Sequence, residues 1–198
     1  SGGAVTKIKR FFCAGVKRES DAVGCKDQLH AKAQHVHGGG PVLLIEGAKG
    51  LNFHDPRGKL TRAYPFAELR HDALAAAHRL VARGIAPGQR VALIAETGAE
   101  FAALFCGCIY AGAWPVPLPL PTSFGGKDAY IEQLTVQLGS SDPKVLFYPA
   151  EIAEMTRAAA TRQGCEGIVW EEFAAQAAPD LELPQASGDD ICYLQYSS

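Results

Sequence analysis

Short, almost wholly apolar runs alternate along this chain with longer stretches in which apolar residues return every three or four positions. Val91-Ala-Leu-Ile-Ala95, Lys144-Val-Leu-Phe-Tyr148 and Gly167-Ile-Val-Trp170 are too short for globular helices. They also lack a polar face, as strands buried on both sides of a sheet do. Between them, Phe66, Leu69, Ala73, Ala76, Ala77 and Leu80 recur at helical spacing, and Gly84, Ile85 and Pro87 end that helix. A second helix is predicted from Thr97, whose hydroxyl would cap it while Glu100 reaches back, to about Tyr110. A third runs from Lys127 to Leu138 with Tyr130, Ile131, Leu134 and Leu138 on one side and Gly139 as its stop. Pro149 suits the first turn of a fourth, which Gly164 closes, and a short Ala-rich helix follows Trp170.

Upstream of this alternation, Leu51-Asn-Phe-His54 and Leu60-Thr-Arg-Ala-Tyr64 read as two strands. Asp55-Pro-Arg-Gly58 joins them with the residues a type I turn uses. Trp114 to Leu118 reads as extended, and the prolines at 115, 117, 119 and 121 exclude a helix there. They also exclude a membrane-spanning helix through the uncharged stretch from Phe101 to Gly126. Residues 178–190 form a polar, Pro-containing linker before a last strand, Ile191-Cys-Tyr-Leu194. Strands alternating with helices of this length predict an α/β fold: a doubly wound, mostly parallel sheet flanked by helices and preceded by an irregular leader.

Composition narrows this picture. Of 198 residues, 47% are apolar, enough for one sizeable core or for one domain and part of another. The net charge of -2 gives no general pull towards nucleic acid or anionic membrane, so no nucleic-acid partner and no integral membrane segment are expected. Residues 1–50 carry 8 Lys+Arg against 4 Asp+Glu, and the remainder 11 against 17, so the leader is set apart by charge. Residues 1–45 show no sustained periodicity and are read as a disordered or unrelated leader. Cys13, Cys25, His30, His35 and His37 within it lack the paired spacing of a zinc site. Six cysteines in so long a chain do not make a disulfide framework, and Cys106 and Cys108 point to different helix faces. A reducing compartment, the cytoplasm, is expected, and no signal peptide is visible.

The candidate chemistry lies at the last strand. Tyr193-Leu-Gln-Tyr-Ser-Ser198 is a buried-looking strand running into two hydroxyl residues, which is how a phosphate-binding loop begins. Other nucleotide signatures are absent. No G-x-G-x-x-G follows a strand, and Gly125-Gly-Lys127 fails as a Walker loop because Pro121 and Asp128 stand where glycine and a hydroxyl are needed. No G-x-S-x-G elbow occurs. Tyr64, Glu68 and Leu69 read as a helix start and its packing, residues 115–121 as a rigid turn from sheet to helix, and His54, His71 and His78 as surface or hairpin positions.

Three segments, in order, resemble the AMP-forming acyl and aryl ligases. Tyr64-Pro-Phe-Ala-Glu-Leu69 resembles that family's first core motif, and Tyr110-Ala-Gly-Ala-Trp-Pro-Val-Pro-Leu-Pro119 its second. Tyr193-Leu-Gln-Tyr-Ser-Ser198 is similar to the opening of its phosphate loop, normally continued by Gly-Ser/Thr-Thr. The long proline segment 114–126 and the Leu-Gln-Tyr-Ser-Ser form of the loop resemble the fatty acyl-AMP ligases in particular.

The resemblance implies that residues 46–198 are the first part of a large N-terminal AMP-binding (adenylation) domain, cut within its phosphate loop. It does not cover 1–45, where the family has a short helical lead-in. An out-of-frame or unrelated leader would explain that, and another frame of the same nucleotide stretch is then expected to encode a family-like helix. The resemblance further implies ATP and Mg²⁺ as cofactors, a fatty acid as substrate, and an acyl carrier protein or a polyketide or peptide synthase as acceptor. Ser197 and Ser198 would open the loop that grips the ATP phosphates, with no catalytic side chain and no metal ligand in this chain. Alone it is expected to be inactive and its last strand to lack sheet neighbours. An acyl-CoA synthetase, an amino-acid adenylation domain, or a non-catalytic α/β interaction module stand as alternatives.

Overall fold

The computed structural model describes residues 7–12, 49–121, 126–185 and 190–197, the stretch 7–12 and Ser197 by their backbone alone. In chain order the elements are β1 (Lys7–Phe12), β2 (Gly50–His54), β3 (Leu60–Pro65), α1 (Phe66–Ala82), β4 (Arg90–Ile94), α2 (Ala99–Tyr110), β5 (Trp114–Leu118), α3 (Lys127–Ser141), β6 (Val145–Tyr148), α4 (Ala153–Gln163), β7 (Glu166–Val169), α5 (Trp170–Ala174) and β8 (Ile191–Ser197). Four strands form a parallel sheet in the order β5-β4-β6-β7, while β2-β3 and β1-β8 are separate antiparallel pairs.

The predicted doubly wound architecture is present, and strand alternation explains it. Val91, Leu93, Val145, Phe147 and Ile168 point to one face, where Ala76, Ala77 and Leu80 of α1, Leu104 and Cys108 of α2 and Phe173 of α5 close over them. Ala92, Ile94, Val116, Leu146, Tyr148 and Val169 point to the other, under Tyr130, Leu134 and Leu138 of α3 and Ala159 and Ala160 of α4. Each apolar run thus feeds two cores, which is why it carries no polar residue.

The hairpin forms on the turn read from the sequence. Asp55 Oδ1 accepts the N–H groups of Arg57 and Lys59, each at 2.9 Å, and Gly58 takes φ 79°, open to glycine without steric cost.

Two helix boundaries differ from expectation. Helix α2 starts after Gly98 in extended backbone with no side-chain cap, so Thr97 and Glu100 make no capping box. Glu100 is drawn away by Arg62 of the hairpin, 3.1 Å distant. Helix α3 does not stop at Gly139 but runs to Ser141 and ends on Asp142 in the left-handed region at φ 44°. Arg90 holds that residue, with Nε donating to the Asp142 carbonyl at 3.0 Å and a second nitrogen 2.5 Å from its carboxylate. Two arginine bonds therefore hold a conformation usually left to glycine.

The prolines of β5 have a structural meaning that their spacing carries. The Trp114 N–H donates to the Gln89 carbonyl at 2.8 Å, so the even-numbered residues of β5 face β4. Pro115 and Pro117 therefore place their missing donors on the outer rim. That rim can accept hydrogen bonds but not donate them, and the sheet ends there. β8 lies alongside β5 without joining its sheet.

The segment after β5 is tied down by Tyr130, whose hydroxyl donates to the Pro119 carbonyl at 3.0 Å. Burial pushes this phenol up from 10.0 to about 12, because the ionised form would lose its water. A folded-state value above the unfolded one contributes stability that is whole below pH 10 and is lost as pH rises towards 12. Cys165 adds to the decline from pH 9, since burial and the charges of Glu166 and Asp142 push its thiol up to about 11. Urea midpoints should therefore fall steeply between pH 9 and 12. The Tyr130→Phe variant should show a shallower fall above pH 10, and equal slopes would contradict this assignment.

Candidate functional site

The three motif segments do three different jobs in the fold. In the first, Tyr64 is a joint between hairpin and helices and is 1% exposed. Its hydroxyl donates to Asp72 Oδ2 at 2.8 Å, and the Arg62 guanidinium lies 4.6 Å from its ring centroid. Arg62 also bridges Glu68 at 2.9 Å and Glu100 at 3.1 Å, linking α1 and α2. Burial first, then the Asp72 hydrogen bond, pushes the Tyr64 phenol far above its ordinary range. The structural reading of Tyr64, Glu68 and Leu69 therefore holds. In the second motif, residues 114–118 are extended as read, forming the edge strand β5, so the rigid turn read over 115–121 is confined to Pro119 to Pro121.

The third motif is β8. Leu194 is buried in the core under α3 and α4, and Tyr193 meets Phe105 of α2 edge-on, with centroids 5.5 Å apart. The two residues point to opposite faces, as strand alternation requires. Tyr196 reaches α3: its hydroxyl donates to the Gln137 carbonyl at 2.5 Å and lies 2.5 Å from Ser140 Oγ. Ser197 is the last residue of the strand, paired in register with Lys7, while Ser198 lies outside the described residues. The strand β1, taken from the stretch read as a leader, thus supplies the sheet neighbour that β8 was expected to lack. The candidate zinc-type residues Cys13, Cys25, His30, His35 and His37 lie outside the described residues.

A second location emerges only from topology. The chain leaves β4 through α2 to reach β5, then returns through α3 on the other face to reach β6, leaving a switch point at the carboxyl ends of β4 and β6. Its β4 side is covered: the Trp170 indole N–H donates to the Ile94 carbonyl at 3.0 Å. Beyond it, Glu96 and Thr97 are exposed. Tyr196, the residue before Ser197, is fixed to the last turns of α3. Alternating strand and helix patterns imply that such a crevice exists, but not which strands flank it.

Among the described residues, no histidine belongs to a group of three His, Cys, Asp or Glu placed to hold a metal ion. His71 is exposed beside Asp72. His78 departs from its reading as a surface residue: its ring is largely covered, and Nδ1 accepts the Leu181 N–H at 3.1 Å, docking the linker. No such group of any composition occurs among the described residues, which therefore do not fit a Mg²⁺ site. Nor is any described helix long and apolar enough to cross a membrane. What the arrangement does supply is a strand, anchored on both faces, that delivers the Ser197 backbone to a fixed place.

Comparison with known proteins gives this strand a setting. The family model of the AMP-binding enzymes matches residues 53–198. A Caulobacter vibrioides protein named "Putative acyl-CoA synthetase" is 38% identical over 77% of this chain and 26% of its own length. A long-chain-fatty-acid AMP ligase of Mycobacterium marinum, FadD26, is 31% identical over 73% of this chain and 24% of its own. A structure solved in studies of fatty acyl-adenylate ligases from E. coli and L. pneumophila superposes with a TM-score of 0.70 at 32% identity, over 74% of this chain and 27% of that one. The chain therefore spans about a quarter of the length of the curated relatives it matches.

Proposed function

This chain belongs to the AMP-binding enzyme family, in the N-terminal part of adenylate-forming ligases, and from that premise we propose that the whole enzyme is a fatty acyl-AMP ligase. The observation that carries the reading is the combination of β8, which closes on Tyr196 and Ser197, with likeness in sequence and fold to fatty acyl ligases. The fatty acid carboxylate attacks the α-phosphorus of ATP, its oxygen forming the new bond while the bond to the β-phosphate oxygen breaks. Acyl adenylate and pyrophosphate result. The acyl group then passes to the thiol of a carrier protein, releasing AMP.

The substrate brings its own nucleophile, so the protein's task is to hold two anions in line and screen the charge that builds between them. Ser197 and Ser198 would contribute amide and hydroxyl donors to the β- and γ-phosphates. The chain by itself is proposed to be inactive. The cytoplasm, where ATP and carrier proteins meet, is the proposed compartment.

Fatty-acid-dependent exchange of labelled pyrophosphate into ATP tests the reading. The whole enzyme is expected to exchange with fatty acids and to load a carrier-protein thiol in preference to CoA, while the 198-residue chain gives none. Exchange driven by amino acids, or by no acid tried, would remove the assignment. Preferred loading of CoA would move it to the acyl-CoA synthetases, the reading favoured by the Caulobacter relative's name.

A further inference from the structure

The strand that carries the phosphate-loop serines is not held by the sheet beside it. Pro115 and Pro117 strip the outer rim of β5 of donors, and β8 stands next to that rim in a separate pair with β1. Without ladder bonds to the main sheet, the position of β8 depends on its side chains. Tyr193 packs edge-on against Phe105, and Leu194 is buried under α3 and α4. Tyr196 adds hydrogen bonds to α3, which have direction and fixed length.

The Tyr196 hydroxyl donates to the Gln137 carbonyl near the C-terminal end of α3, where the helix carries partial negative charge. Ser140 Oγ lies 2.5 Å from the phenolic oxygen and itself donates to the Gln137 carbonyl at 3.1 Å, so the two hydroxyls meet at one acceptor. The Tyr196 hydroxyl belongs to the residue directly before Ser197.

We propose that Tyr196 is the positioning residue of the phosphate loop: its hydroxyl, clamped on α3, sets where Ser197 and the donors after it stand relative to the sheet. This rests on the ligase reading for what the loop binds, but the clamp itself does not. Removing the hydroxyl leaves the ring packed and frees the strand to shift, so that the loop donors meet the ATP phosphates out of line.

The test compares Tyr196→Phe and Ser140→Ala with the unchanged protein. In the whole enzyme, the Michaelis constant for ATP should rise about five- to tenfold for Tyr196→Phe, the equivalent of one hydrogen bond, and less for Ser140→Ala. The constant for the fatty acid and the thermal midpoint should hardly move. In the 198-residue chain, amide hydrogen exchange at Gln195, Tyr196 and Ser197 should quicken in both variants. An unchanged ATP constant with unchanged exchange would overturn the proposal. So would a large fall in thermal midpoint with both substrate constants moving together, since that marks a purely structural role. If exchange quickens but the unchanged enzyme turns over no ATP, the ligase reading fails, and the loop-positioning role fails with it.

Discussion

Phe147→Ala should destabilise the chain by about 3–5 kcal/mol, the range for emptying a buried aromatic site. Phe147 is 0% exposed at the centre of β6, 4.6 Å in centroid distance from Phe173 and 6.2 Å from Trp170. It is the contact through which α5 and the start of the linker region are pinned to the sheet. Domains of this size have roughly 5–15 kcal/mol in total, so the variant would lie near the edge of folding. Trp170 is a built-in reporter: urea unfolding followed by tryptophan fluorescence should show a sharply lowered midpoint. Phe147→Leu should recover most of the loss, leaving under about 1.5 kcal/mol. A loss below about 1 kcal/mol for the alanine variant would mean that the aromatic cluster does not organise this core.

The second large effect is at Gly107, and there two physical terms oppose each other. Helix propensity alone favours alanine over glycine in a helix interior by about 1 kcal/mol. The structure reverses the sign. A Cβ at Gly107 would stand 2.7 Å from the Ala76 Cβ, 2.9 Å from the Ala73 carbonyl oxygen and 3.2 Å from the Ala77 nitrogen. Two of those three atoms are backbone, so helix α1 as a whole must move rather than one side chain. Gly107→Val should cost about 2–3 kcal/mol or more, and Gly107→Ala should also destabilise. Thermal melts of both variants decide between the terms: a rise in midpoint for the alanine variant would show that α1 and α2 do not approach as closely as described.

Gly107 also illustrates how far the pattern of the chain could be read. The small residues Ala73, Ala76 and Ala77 are visible as a helical stripe, yet nothing local says that Gly107 lies opposite them. The strands and the doubly wound arrangement were legible because each apolar run is short and uninterrupted, and a run without a polar face has few places to go but a sheet covered on both sides. The hairpin turn was legible because Asp55 and Gly58 act within four residues of each other.

The misread boundaries were those where a distant residue competes for a local one. Glu100 could have closed a capping box, but Arg62 of the hairpin offers it a charge. Gly139 could have stopped α3, but Arg90 reaches across and makes Asp142 the better end. His78 was taken for a surface residue because the linker that covers it comes more than a hundred positions later.

The candidate site divides in the same way. Ser197 and Ser198 were singled out as candidates from residue type and from their place after an apolar strand, and Tyr196 went unnoticed because a tyrosine in a strand needs no special reason. What the sequence by itself determined is the alternation of strands and helices, the turn and the order of three family motifs. All of these depend on covalent geometry and on neighbours within a few residues. Only the tertiary structure decided the strand order, the crossing of α1 and α2 at Gly107, and the clamp of Tyr196 on α3. In the parallel sheet, at the helix crossing and at the clamp, the joined residues lie more than twenty positions apart, and such pairings are selected by packing and hydrogen bonding in the folded chain, which no local preference encodes.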